Sequence, residues 1–167
     1  MQYKRNFRNI LGVILICAVG TTAHFLYEWS GNNRIVGLFC PINESTWEHI
    51  KLLFFPMLFY TIGTAIGTRR QQPDWSTALL AGNLFGCACI PVIFYTYTGI
   101  LGFHLLALDI GTFVISTILA FCFASRMMQH ANGLRWRHGW IFATIAVTAC
   151  FFIFTFYPPS IALFVSP

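Results

Sequence analysis

The chain has 167 residues, 57% of them hydrophobic, 17% aromatic and only 9% charged, with ten Lys and Arg against five Asp and Glu. A mean hydropathy of +0.68, with charge far below the roughly 25% of ordinary soluble domains, excludes a soluble globular protein. The length suits one all-α bundle of about five membrane spans of ~20 residues, with no separate soluble catalytic domain, and membrane lipids are the first expected partner.

In chain order, Lys4, Arg5 and Arg8 precede an apolar run. No small-residue cleavage site follows, and His24, Glu28 and Trp29 close the run, so it reads as a retained first span over residues 10–29 rather than a secretory signal. Residues 30–46 contain Gly, Asn and Pro. Their apolar middle, 34–42, is too short to cross a bilayer and is expected to lie along the interface or to re-enter. The second span covers 47–68, with Pro56 able to kink it and Gly63 and Gly67 forming a G-x-x-x-G face. The third covers 75–97 and carries Asn83, Pro91 and a second glycine pair, Gly82 and Gly86. Both pairs are candidate faces for close helix packing or for a homo-oligomer.

A turn near Thr98 and Gly99 leads to the fourth span, 100–124, which contains His104 and Asp109. A basic loop with Arg126, His130, Arg135, Arg137 and His138 comes next, and the fifth span, 140–157, stops at Pro158 and Pro159. The apolar tail is too short to span and is expected along the membrane surface. The six cysteines show no zinc-ribbon or redox spacing and read as small buried hydrophobes, with Cys40 alone in a loop.

Orientation follows from the basic residues. With a cytoplasmic N-terminus, the inner segments hold Lys4, Arg5, Arg8, Arg69, Arg70, Arg126, Arg135 and Arg137, while the outer segments hold Arg34 and Lys51, which is eight against two. The C-terminus is then outside. This sorting explains the positive charge without a nucleic-acid partner.

The stretch 41–56, PINESTWEHIKLLFFP, crowds Asn43, Glu44, Ser45, Trp47, Glu48, His49 and Lys51 into an otherwise apolar chain. Two readings stand side by side. Ser45 to Glu48 fits the S-x-x-E capping box, in which Glu48 reaches back to the cap; alternatively, Glu44, Glu48 and His49 face a polar pocket at the membrane surface. Lys51 is expected to snorkel to the surface. Asn43 heads an N-x-S sequon, but its closeness to the membrane argues against glycosylation.

The remaining ionisable residues collect toward the outer side. His24 lies roughly 6 Å, about one turn, below Glu28 on one helical face. His104 is expected at a similar depth and Asp109 at ~14 Å, near the bilayer middle. An Asp there costs about 2.5–3.5 kcal/mol, which makes Asp109 a functional candidate. Neutral imidazoles with carboxylates are the donors that Zn²⁺ or Fe²⁺ takes. His24, His49, His104 and Asp109 are therefore candidate ligands of a divalent metal, Glu44 and Glu48 candidate general bases, and Glu28, Asn43, Ser45, Lys51 and Asn83 the rest of the polar set. The same groups could instead form a proton or cation relay.

No H-E-x-x-H or G-x-S-x-G motif is present, so the reading rests on converging topology. Five residues apart on one helix, His104 and Asp109 would point ~140° away from each other, which weighs against a single site. Local readings also stand: His24 bonding Glu28 or a carbonyl, His104 as a satisfied interior histidine, and Asp109 as a hub bonded to Asn83 or a tyrosine.

The passages HFLYEWSGNNRIVGLFCPINESTWEHIKLLFFPML and TFYPPSIALF resemble the bacterial membrane-protein family catalogued as domain of unknown function 6512. The resemblance implies a bacterial inner-membrane protein of about five spans and supplies no activity. A looser likeness is to the membrane metal-hydrolases of the alkaline ceramidase and adiponectin-receptor type, which gather His and Asp at one membrane face. Those proteins have seven spans and a paired HxxxH, a spacing that no two histidines share here. The function expected is a membrane metal-dependent hydrolase of a lipid or amphiphile; the alternatives are a transporter or channel for a small solute or cation, and an accessory membrane subunit.

Overall fold

The computed structural model describes residues 2–67, 73–129 and 135–166. Arg69, Arg70 and His130 lie outside the described residues. Among these residues the helices are α1 (Gln2–Trp29), α2 (Arg34–Phe39), α3 (Thr46–Gly67), α4 (Pro73–Leu101), α5 (Leu106–Met127) and α6 (Arg137–Phe156), followed by a 3₁₀ turn, Ala162–Phe164. Five of them are long and apolar enough to cross a membrane. The protein is an all-α, multi-pass membrane bundle in which an interior backbone group finds its partner within its own helix.

Helices α3 and α4 form the centre. Half of each span is buried inside the protein, against about a fifth of α1 and α6. The core is aromatic and aliphatic: Phe54, Phe55, Trp75, Leu79, Phe121 and Phe151 are each at most 2% exposed. α6 joins it through Phe151, whose ring lies 4.6 Å from Trp47 and 5.0 Å from Phe54. Threonine hydroxyls at Thr61, Thr117 and Thr144 donate to the carbonyl four residues earlier, which satisfies them without a partner helix.

Small residues set the closest approaches. α1 packs by Gly12, Ile16, Gly20 and Ala23, all buried and spaced to lie on one helical face. Pro56 has no N–H, so the carbonyl of Leu52, four residues earlier, loses its helical donor. Gly20 lies against that carbonyl: a Cβ there would sit 2.6 Å from the Leu52 oxygen. Of the two G-x-x-x-G pairs, one joins α4 to α5. A Cβ on Gly82 would lie 2.4 Å from the Ala120 carbonyl oxygen, and one on Gly86 would lie 2.7 Å from the Ala120 methyl. That face is therefore filled within the chain. Around Gly63 and Gly67 a Cβ would meet nothing within 4 Å.

The basic end is stitched by the Arg8 guanidinium, 4.3 Å from the Trp75 ring, and by the Asn9 amide donating to Ser125 Oγ at 2.6 Å. At the other end three details differ from the sequence reading. α4 runs straight through Gly99, and the chain turns instead at Gly102, whose φ of +79° suits glycine. α5 consequently starts at Leu106, leaving His104 in the turn and Asp109 in the first helical turn rather than in mid-bilayer. The tail packs back on the bundle, with the Phe164 ring 4.9 Å from Trp47 and 5.5 Å from Phe154.

Candidate metal centre

The connection from α1 to α3 shapes the site. Gly31 and Asn32 turn the chain with φ of +69° and +59°, and Asn33 caps α2 by accepting the Ile35 N–H. Asn43 Oδ1 accepts the Ser45 N–H at 2.9 Å, and Ser45 Oγ accepts the Glu48 N–H at 3.4 Å to open α3. Only half of the expected capping box forms. Asn43 has taken the N–H that Glu48 would reach back for, and Glu48 is used elsewhere.

Residues 44, 48, 49 and 51 fan out around the start of α3 and separate into two groups. Facing outward are Glu44 and His49. Glu44 is two-thirds exposed, and its carboxylate oxygens lie 3.3 Å from His49 Nε2 and 3.9 Å from His24 Nε2 on α1. The two imidazole rings are 5.4 Å apart. The ligating atoms of His24, Glu44 and His49 all lie within 4.8 Å of one another. Metal–ligand bonds of about 2.1 Å in a tetrahedron put neighbouring donors about 3.4 Å apart, so the 3.3 Å and 3.9 Å contacts are near that spacing, while the full 4.8 Å spread has to contract for one ion to be held by all three. His49 Nδ1 lies 3.0 Å from the Ser45 carbonyl, which can only accept, so Nδ1 carries a proton there and Nε2 is the ring nitrogen that faces Glu44. A cavity of about 340 Å³ opens beside the group, lined by His24, Glu28, Pro41, Asn43, Glu44 and Ser166. An apolar groove of about 430 Å³, lined by Phe94, Tyr95 and Val165, shares Ser166 with it.

Facing inward are Glu48 and Lys51, 2% and 0% exposed. Lys51 does not snorkel. Its ammonium donates to Glu48 Oε2 at 2.7 Å, to the Gly37 carbonyl at 2.9 Å and to Thr155 Oγ1 at 2.6 Å, which uses all three protons. Glu48 also accepts the Ile42 N–H at 3.0 Å. Bound this way, Glu48 does not reach the cavity and is unsuited to the general-base role expected of it.

His104 and Asp109 form a third, separate cluster. His104 Nδ1 lies 3.3 Å from Asp109 Oδ2, and the Tyr97 hydroxyl donates to Asp109 Oδ1. Because His104 is off the helix, the 140° separation does not apply and the two side chains meet. They do not join His24 and His49. The tyrosine-bonded reading of Asp109 describes its surroundings, while Asn83 is buried elsewhere and donates to the Phe54 carbonyl at 3.0 Å. Cys40 is buried beside Ala23 and Leu52, and burial pushes its thiol above the ordinary value against the pull of the Lys51 charge, as a packed hydrophobe requires.

Sequence reasoning missed Thr155, Gly37 and Ile42 as partners of the buried pair, and Ser166 in the cavity wall. The i, i+3 spacing of Glu48 and Lys51 was a readable signal for the pair itself.

The model of the Family of unknown function (DUF6512) matches residues 1–166, and the chain belongs to that family. No curated protein and no solved structure matches.

Proposed function

We propose that this member of the DUF6512 family is a membrane-embedded, metal-dependent hydrolase of a lipid or other amphiphile, holding Zn²⁺ or Fe²⁺ between His24, Glu44 and His49. The observation that carries the reading is the meeting of two imidazoles and a carboxylate from two helices and a loop within 4.8 Å. Two histidines and one carboxylate leave coordination positions for water, and a divalent ion supplies a water acidified toward neutral pH. Glu28 lines the same cavity, which supports it as the carboxylate that takes a proton. The adjoining apolar groove suits an acyl chain. The eight-to-two sorting of basic residues favours an outward-facing site, and a bacterial inner membrane is the setting proposed for it.

The test is elemental analysis of the purified chain alongside release of fatty acid from phospholipid vesicles. Stoichiometric zinc or iron together with chelator-sensitive hydrolysis supports the reading. Protein that is folded, metal-free and inert on esters and amides of several amphiphiles sinks it.

A further inference from the structure

The buried pair on α3 sits less than two turns from the outward cluster and grips the piece of chain that delivers Glu44. Lys51 holds the carbonyl of Gly37, and Glu48 holds the N–H of Ile42, two residues before Glu44. Asn43 and Ser45 then make the tight turn that sets the Glu44 carboxylate 3.3 Å from His49. The third contact of Lys51, with Thr155, ties this arrangement to α6, a helix that contributes no atom to the cluster. Thr155 Oγ1 also lies 2.6 Å from the Phe151 carbonyl, so its position is fixed by its own helix.

Apolar side chains of equal volume would fill the same space without the cost of desolvating two charges. They could not, however, satisfy a carbonyl and an N–H in a connection at the membrane boundary. A charged pair with directed hydrogen bonds does both, and it fixes the path of residues 37–42.

We infer that Glu48, Lys51 and Thr155 are positioning residues for the His24–Glu44–His49 cation site, acting through the segment from Gly37 to Glu44. This rests on the metal reading proposed above. Groups that hydrogen-bond metal ligands directly set affinity by about 10- to 100-fold, and a residue that acts through the intervening segment is expected near the lower end.

The experiment is titration of the detergent-purified full chain with Zn²⁺ alone, paired with thermal unfolding, for wild type, Thr155→Val, Thr155→Ser and Phe121→Leu. The account expects Thr155→Val to weaken zinc binding about tenfold and Thr155→Ser to restore it. Phe121→Leu, in the core beside Gly12 and Tyr60, should lower the melting temperature and leave zinc affinity alone. If Thr155→Val does not fold, Thr155→Ala carries the same test. A Thr155 variant that melts earlier yet binds zinc within twofold of wild type overturns the positioning role while leaving the metal site standing. A wild type that binds no zinc overturns the metal reading, and the positioning role with it.

Discussion

Two groups of polar side chains meet at the start of α3 and take opposite directions. Glu48 and Lys51 turn inward, where every ammonium proton has an acceptor and the pair is shielded from water and lipid. Glu44 and His49 turn outward beside His24, where contacts of 3.3 and 3.9 Å leave the carboxylate two-thirds exposed and the group open on one side. The inner group is closed and has nothing left to bind. The outer group is open, with one ligand-type atom from each of His24, Glu44 and His49 within 4.8 Å of the others. A closed polar network is the mark of structure, and an open one facing a cavity is the mark of a site.

Removing one inner partner should produce the largest effect. Glu48→Ala strands the Lys51 ammonium in the interior, and a loss of about 3–5 kcal/mol is expected from denaturation in detergent. The double replacement Glu48→Leu with Lys51→Met removes the stranded charge and should recover part of that stability, the Gly37 carbonyl and the Ile42 N–H staying unpaired, while still loosening the outer cluster. If the single variant is as stable as wild type, the inner pair is not closed in the way described.

Next is the packing that brings α4 and α5 together. Gly82→Val drives a side chain into the Ala120 carbonyl and should cost about 1–3 kcal/mol, whereas Gly63→Val, with open space around it, should cost under about 0.5 kcal/mol. Equal melting temperatures for the two variants would contradict the packing. Smaller still is the intrinsic stability effect of the outer group: with both proteins stripped by chelator, so that bound metal adds nothing, His49→Ala should shift unfolding by no more than about 0.5 kcal/mol, and without chelator it should abolish stoichiometric metal. The smallest effect belongs to His104→Ala, which should leave both the metal content and its affinity unchanged, because His104 pairs with Asp109 apart from the cluster. Loss of metal in that variant would reunite the two clusters that the fold keeps separate.

Much of the fold was legible because a bilayer imposes long apolar helices, and the five of them announce themselves in the sequence. The α4–α5 turn was misplaced for a physical reason. Thr98 and Gly99 look like a turn, yet in an apolar setting the helix keeps its hydrogen bonds by running on to Leu101, and Gly102 takes the positive φ. That shift brought Asp109 from the bilayer middle to a helix start and changed its meaning. Of the site, the convergence of His24, Glu44 and His49 depends on how closely α1 approaches α3. That approach is set by Gly20 against the carbonyl freed by Pro56, a contact between residues too distant in sequence for any local pattern to reveal. Lys51 was misread because its spacing to Glu48 is visible while its anchor, Thr155 on α6, lies 104 positions away.

The most direct measurement is metal content by elemental analysis of the purified chain, wild type beside Glu44→Gln, with both shown to be folded by their unfolding transitions. Stoichiometric zinc or iron is expected in wild type and its loss in Glu44→Gln, with equal melting temperatures for the two proteins once chelator has stripped the wild type. Equal metal content in the two proteins, or none in either, would contradict the assignment of His24, Glu44 and His49 as a cation site.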